Sequence, residues 1–179
     1  MNKKKELLGL LKKKSFLKKR IKLSSGKVSN FYIDVRKVSL SPQGVYLISH
    51  LIFDILKNKK VTAIGGPTLG ADPIVSGVCY LAYKNKKKLK GFLLRKLPKK
   101  HGRQKLIEGQ VLTSKERVII VDDVATSGSS LIKAIEVLKK EKIKVVAAVS
   151  VVDREEGAKE ALAQYGCPLL SLFAKSDFL

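Results

Sequence analysis

The sequence predicts an α/β fold: a mostly parallel central sheet flanked by helices. Short apolar runs alternate with segments of helical spacing along most of the chain, the pattern of βαβ units. The middle runs, "RVIIVD" and "KVVAAVSVVD", are apolar almost throughout, as strands covered on both faces must be. A length of 179 residues with 45% hydrophobic content suits a single domain, 1–179, with a full core.

Each element follows in turn. Residues 2–19 read as a lysine-rich amphipathic helix with Leu7, Leu8, Leu11 and Phe16 on one face. Residues 21–36, "IKLSSGKVSNFYIDVR", alternate loosely around a Ser-Ser-Gly turn signal. "SPQGVYLISHLIFDILKN" opens a helix with Ser41 as N-cap and Pro42 at the first helical position, where its missing N–H is not needed. "VTAIGG" is a short buried strand ending in glycines, "GADPIVSGVCYLAYK" the helix after it, and "KGFLLR" the next strand. "LPKKHGRQKLIEG" is polar and loop-like, with Pro98, Gly102 and Gly109. "RVIIVD" is a strand, 129–140 a helix and "KVVAAVSVVD" a strand. "EEGAKEALAQYG" is a helix ended by Gly166, and "LLSLFA" is the last strand. There is no internal repeat, linker or low-complexity tail.

No apolar run approaches the roughly 20 residues of a membrane helix, and "LLGLL" is too short for a signal-peptide core. No membrane partner and a cytoplasmic location are therefore expected. Cys79 and Cys167 lie apart without metal-ligand spacing and read as reduced, small hydrophobes. Lys plus Arg is 37 against 15 acids, a formal charge of +22. Such a chain attracts nucleic acid, an anionic membrane or a polyanionic small substrate. The cations lie in short clusters along the whole chain, which is how solvated helix faces look. The stretch 95–105 differs: Arg95, Lys96, Lys99, Lys100, Arg103 and Lys105 place six cations in eleven residues, with His101 among them. A packed element does not hold so many like charges; a loop with Pro98, Gly102 and Gly109 does, and it can close and reopen. His101 titrates near neutral pH and suits proton traffic.

The segment "VIIVDDVATSGSS", Val118 to Ser130, carries the chemistry. An apolar strand ends on two carboxylates, Asp122 and Asp123, and small polar residues lead into a helix. In an open α/β sheet ligands bind at the carboxyl ends of strands. Successive amides at a helix N-terminus take an anion, and Thr126, Ser127 and Ser129 add hydroxyls. Ionised carboxylates only accept hydrogen bonds, so the aspartates face either sugar hydroxyls or a magnesium ion. A ribose 5-phosphate meets both demands. The plain alternative is a strand terminus followed by a helix cap.

In its order of strand, acid pair and Thr/Ser/Gly loop, this segment resembles the phosphoribosyl pyrophosphate signature of the type I phosphoribosyltransferases. Four more segments resemble the orotate phosphoribosyltransferases within that family: "KLSSGKVSNFYIDVR", "GGPTLGADPI", "RKLPKKHGRQKLIEG" and "VDREEGAKEAL". The resemblance implies a small N-terminal hood over about residues 1–40. It implies transfer of ribose 5-phosphate from 5-phosphoribosyl 1-pyrophosphate to orotate. Asp122 and Asp123 would bind the ribose hydroxyls, and Val124, Ala125, Thr126, Ser127, Gly128 and Ser129 would surround the 5-phosphate. Thr126 and Arg154 would also hold orotate, whose carboxylate matches an arginine fork, and Tyr32 offers a face for stacking a pyrimidine. Arg95, Lys96, Lys99 and His101 would act on the pyrophosphate, with Lys99, His101, Asp122 and Asp123 as the catalytic set. Magnesium would be carried by the pyrophosphate, with no dedicated protein metal site. A homodimer is implied, the 95–105 loop reaching the neighbouring subunit's site.

The sequence departs from the family at Ser24 and Gly70, where many members carry lysine; Lys27 is near enough to replace the first. Structural alternatives are a core position for Tyr32 and an ion pair of Arg154 with Glu155 or Glu156 at a helix start. His50 reads as structural. Two other functions compete: a phosphoribosyltransferase for a purine or uracil, which would share 118–130, and a nucleic-acid-binding regulator on the same fold, motivated by the charge. The chain has no helix-turn-helix or zinc module, and nucleic acid is not the expected partner.

Overall fold

The computed structural model describes residues 2–18, 21–22, 28–29, 31–57, 59–97 and 106–179. Val118, Ile119, Ile120 and Val121 are all fully buried, and they alternate between two cores. Val118 and Ile120 pack with Leu131, Ala134 and Leu138, whereas Ile119 and Val121 pack with Ile48, Ile74 and Val78. Their strand, β8 (Arg117–Ala125), thus has no polar face along this run, which is what an unbroken apolar sequence requires.

The remaining elements are α1 (Lys3–Lys14), β1 (Phe16–Leu17), β2 (Ile21–Lys22), β3 (Val28–Ser29), β4 (Tyr32–Ile33), α2 (Arg36–Ser39), α3 (Pro42–Lys57), β5 (Ala63–Pro67), α4 (Ala71–Lys84), β6 (Lys90–Leu94), β7 (Ile107–Gly109), α5 (Ser129–Lys140), β9 (Lys144–Asp153), α6 (Ala158–Gln164), β10 (Leu169–Ala174) and a closing 3₁₀ turn, Lys175–Phe178. The main sheet runs β10-β9-β8-β5-β6-β7. All its pairs are parallel except β6–β7. From β5 the chain winds outward to β6; from β8 it winds the other way, through β9 to β10. The winding reverses between β5 and β8, and the crevice beyond their carboxyl ends is where such sheets bind ligands.

The capping signals act as the sequence suggests. Asn2 Oδ1 accepts from the amides of Lys4 (3.1 Å) and Lys5 (3.4 Å) at the start of α1. Ser41 Oγ accepts from Gly44 N at 3.1 Å ahead of α3. Among the described residues no helix is long and apolar enough to cross a membrane.

Four expectations are corrected. The first helix stops at Lys14, and Phe16 lies in β1, its ring 6.0 Å from Phe31 and 5.7 Å from Phe178. That aromatic pile overrides helical spacing. The polar stretch 97–109 ends in β7, antiparallel to β6. The helix expected over 155–166 spans only Ala158–Gln164, because Gly157 takes a left-handed conformation before it. The strand carrying the two aspartates does not end on them. It continues to Ala125, pairing Asp122 with Ser150 and Ala125 with Asp153 of β9.

Candidate active site

Two strand ends meet because one residue between them has no side chain. β5 pairs with β8 from Ala63↔Val118 to Gly65↔Ile120, and a Cβ on Gly66 would overlap the Val121 carbonyl oxygen. After Pro67 the chain turns through Thr68 and Leu69 to Gly70, which opens α4. Gly70 lies directly against the acid pair: a Cβ there would overlap the carboxylates of both Asp123 and Asp122.

Asp122 is 7% exposed. Its Oδ1 accepts from Asp123 N at 2.9 Å and its Oδ2 from Ser130 Oγ at 2.8 Å. Asp123 Oδ1 accepts from Val124 N at 2.9 Å. Burial, and next the like charge of Asp123, push the Asp122 carboxyl up to about 7. Burial raises Asp123 as well, while the Asp122 side chain and the Arg36 charge pull it back. The hydroxyl of Ser130 favours ionised Asp122. An ionised pair is the form that accepts sugar hydroxyls, so kcat/KM for the phosphoribosyl donor is expected to fall below about pH 7. Ser130→Ala should move that acid limb to higher pH, read from kcat/KM profiles, which report the free enzyme; a limb that stays in place would separate Ser130 from the titration.

Beyond Ala125 the backbone bends through Thr126, Ser127 and Gly128, and α5 starts at Ser129. Gly128 adopts φ 78°, a conformation glycine takes without penalty, and its α-carbon face rests on Ala158. Among the described residues no backbone carbonyl accepts from the amides of Ser127, Gly128 or Ser129. Those donors at the α5 N-terminus, with its positive field, form an anion cradle.

Over these parts lies a cavity of about 770 Å³. Ten of the expected residues line it: Tyr32, Lys96, Asp122, Asp123, Val124, Thr126, Ser127, Gly128, Ser129 and Arg154. Tyr32 is seated by its pairing with Leu17 between β4 and β1. Arg154 is 4% exposed. Its Nη2 and Nε lie 2.8 and 3.0 Å from Glu156 Oε1, and its guanidinium sits 4.7 Å from the Phe31 ring centre. The ion pair weighed as an alternative for Arg154 therefore forms with Glu156, on the wall of the same cavity. Ala125 does not line it; the side chain is 2% exposed in the core beside α5, and its carbonyl accepts from Arg154 N at 2.8 Å. Arg95 faces an adjoining cavity of about 480 Å³ along α5, with Nη1 3.8 Å from Glu108. Lys99 and His101 lie outside the described residues, as do Lys100, Arg103, Lys105, Ser24 and Lys27. His50 Nδ1 is 2.8 Å from the Tyr46 carbonyl oxygen, away from the cavity.

Sequence reasoning passed over Ser130, Asp34 and Arg36, all on the cavity wall. Ser130 closed the motif itself, and its hydroxyl was the available signal. Arg36 and Asp34 end the "FYIDVR" segment, where an i, i+2 acid–base pair beside a candidate stacking tyrosine was the clue.

A carboxylate pair able to accept from a diol, next to amides able to hold a phosphate, is the arrangement expected of a protein that handles a phosphoribosyl group. The profile of the phosphoribosyl transferase domain family matches residues 41–168. Orotate phosphoribosyltransferase of Aquifex aeolicus is 41% identical over 88% of this chain and 86% of its own length. That of Rhodopseudomonas palustris is 37% identical over 97% of this chain and 94% of its own. The crystal structure of Mycobacterium tuberculosis orotate phosphoribosyltransferase in complex with Fe(III) dicitrate superposes with a TM-score of 0.85 at 32% identity, covering 98% of each chain. The same protein in complex with 5-phospho-alpha-D-ribosyl 1-diphosphate gives 0.82 at 30% identity, again over 98% of both chains. The chain belongs to the orotate phosphoribosyltransferase family.

Proposed function

We propose that the chain transfers ribose 5-phosphate from 5-phosphoribosyl 1-pyrophosphate to orotate, giving orotidine 5-phosphate and pyrophosphate in pyrimidine biosynthesis. The observation that carries this reading is the acid pair and the amide turn sharing one cavity at the sheet's reversal point. In the reaction the bond from the anomeric carbon to the pyrophosphate oxygen breaks. The bond to the pyrimidine nitrogen forms, and that nitrogen loses its proton. Positive charge grows on the ribose ring and negative charge on the leaving group, so preorganised cations count most in the transition state.

The turn Thr126–Ser129 holds the 5-phosphate, and Asp122 and Asp123 fix the ribose by its hydroxyls. Ser130 orients Asp122. Tyr32 stacks on the pyrimidine, and Arg154, held by Glu156 and Phe31, takes the orotate carboxylate. Lys96, with Arg95, Lys99 and His101, meets the pyrophosphate. Among the described residues no group of three or more His, Cys, Asp or Glu is placed to hold a metal ion. In this reading a divalent ion would be carried by the pyrophosphate of the substrate. Magnesium carried in this way neutralises charge on the pyrophosphate. The reading includes a homodimer whose 95–105 loops serve the neighbouring site. Exposed aromatic side chains on α3 and α4, Tyr46, Tyr80 and Tyr83 at 53%, 62% and 82%, are of the kind enriched in protein interfaces. It also includes a hood over about residues 1–40 and a cytoplasmic location.

The test offers orotate, uracil, hypoxanthine, guanine and adenine separately with the donor and magnesium. Turnover with orotate alone is expected; turnover with another base instead would overturn the substrate. Lys99→Ala should lower turnover roughly 10²–10³-fold, the usual cost of removing one charge-stabilising donor, without changing the melting temperature. An unchanged rate would remove Lys99 from the mechanism.

A further inference from the structure

We propose that Arg36 is a substrate-binding residue, holding the donor's pyrophosphate from the hood side of the cavity. This inference rests on the donor and reaction proposed above.

Arg36 opens α2 and lines the cavity with Tyr32, Gly70 and Asp123. Its Nε lies 2.9 Å from Asp34 Oδ1 and its Nη2 3.3 Å from Asp34 Oδ2. Asp34 also accepts from Arg36 N at 3.2 Å, and its own amide is held by the Ser15 carbonyl at 3.0 Å. The fork is thus fixed by two parallel bonds before any ligand arrives. Stability does not explain this construction. The side chain of Arg36 is 45% exposed, and ion pairs so open contribute about 0–1 kcal/mol. What the pair does is hold the guanidinium in place beside the acid pair: the charges of Arg36 and Asp123 each shift the other's protonation.

That position needs a cation. Asp34, Asp122 and Asp123 all line the cavity, and a pyrophosphate brought there meets three carboxylates. Gly70, where a neighbouring cation would otherwise come from the turn after β5, leaves no room even for a Cβ. Among the described residues the other cations lining the cavity are Lys96 and Arg154. Arg154, held by Glu156 and Phe31, is the residue assigned above to the orotate carboxylate. Arg36 is therefore the anchored cation on the acid pair's side. Its guanidinium offers phosphate oxygens a planar edge that a lysine does not match.

The test compares wild type with Arg36→Gln and Arg36→Lys. It measures KM for each substrate, the Kd of pyrophosphate with magnesium by calorimetry, and the melting temperature. One lost bond between charged groups is worth about tenfold or more in affinity. Arg36→Gln should raise the donor KM and the pyrophosphate Kd by at least that factor, and leave the orotate KM within about twofold. Arg36→Lys should recover part of the loss. A donor KM and pyrophosphate Kd unchanged in Arg36→Gln would overturn the proposal. So would a rise confined to orotate, or both KM values rising together with a lower melting temperature. Failure of wild type to use orotate would overturn the base assignment alone, because pyrophosphate titration needs no base.

Discussion

Gly70→Lys is expected to lower kcat/KM by roughly a hundredfold or more, because misplacing reacting groups by about 1 Å costs that much. The family commonly carries lysine in this turn, so the substitution looks like a restoration. Here it collides with the site. A Cβ at Gly70 overlaps both aspartate carboxylates, and both are tied down. Asp122 is held by Ser130 and by the Asp123 amide, Asp123 Oδ1 accepts from the Val124 amide, and β8 is paired with β9 along this stretch. The backbone of Gly70 is ordinary, φ −61°, so helix start is not at issue. Overpacking of this kind costs about 1–3 kcal/mol. Steady-state kinetics and a thermal melt on one sample separate the two effects. Activity at or above wild type would show that the turn moves freely, contrary to the packing around it.

Asp122→Asn should do the opposite to stability and the same to activity. In the unfolded chain an aspartate releases its proton near pH 3.9, but in the folded protein Asp122 does so only near 7. Between those values the folded state keeps a proton that the unfolded state has lost. Stability therefore falls as pH rises through that window, and the penalty is complete above it. Its size is on the order of a few kcal/mol, since each tenfold change in proton affinity between the two states is worth about 1.36 kcal/mol. Asparagine keeps the shape and the oxygen acceptor but carries no charge. The variant should melt higher than wild type at about pH 8, with little difference near pH 4, while turnover falls about a hundredfold or more. Equal pH slopes for the two proteins would mean that Asp122 does not carry this penalty.

Much of this fold could be read from the chain. Ser41 and Pro42 marked the start of α3, the apolar runs marked β8 and β9, and "DDVATSGSS" marked a stretch most of which lines the large cavity. These signals are local: a cap, a period, a motif. What escaped was set by distant partners. Three residues, Ile107–Gly109, become a strand only because β6 offers an edge. Phe16 leaves the helical pattern because Phe31 and Phe178 are waiting for it. Arg36 looked like one more cation in a chain of 37 basic residues. Its role depends on Asp34 beneath it and Asp123 nearby, and no periodicity reports that. Arg154 was open to two readings, ligand-binding or ion-paired, and the structure pairs it with Glu156 on the cavity wall.

The antiparallel closure of β7 on β6 has a consequence for redesign. Leu94 faces Ile107 across that pair, and Arg95 N donates to the Leu106 carbonyl at 2.9 Å. The two ends of the basic stretch are thus stapled to the same rigid edge before a single residue between them is specified. Each doubling of a spanning segment costs only about 0.6 kcal/mol, so a change of length between these two anchors weighs little against the strand pairing that holds them.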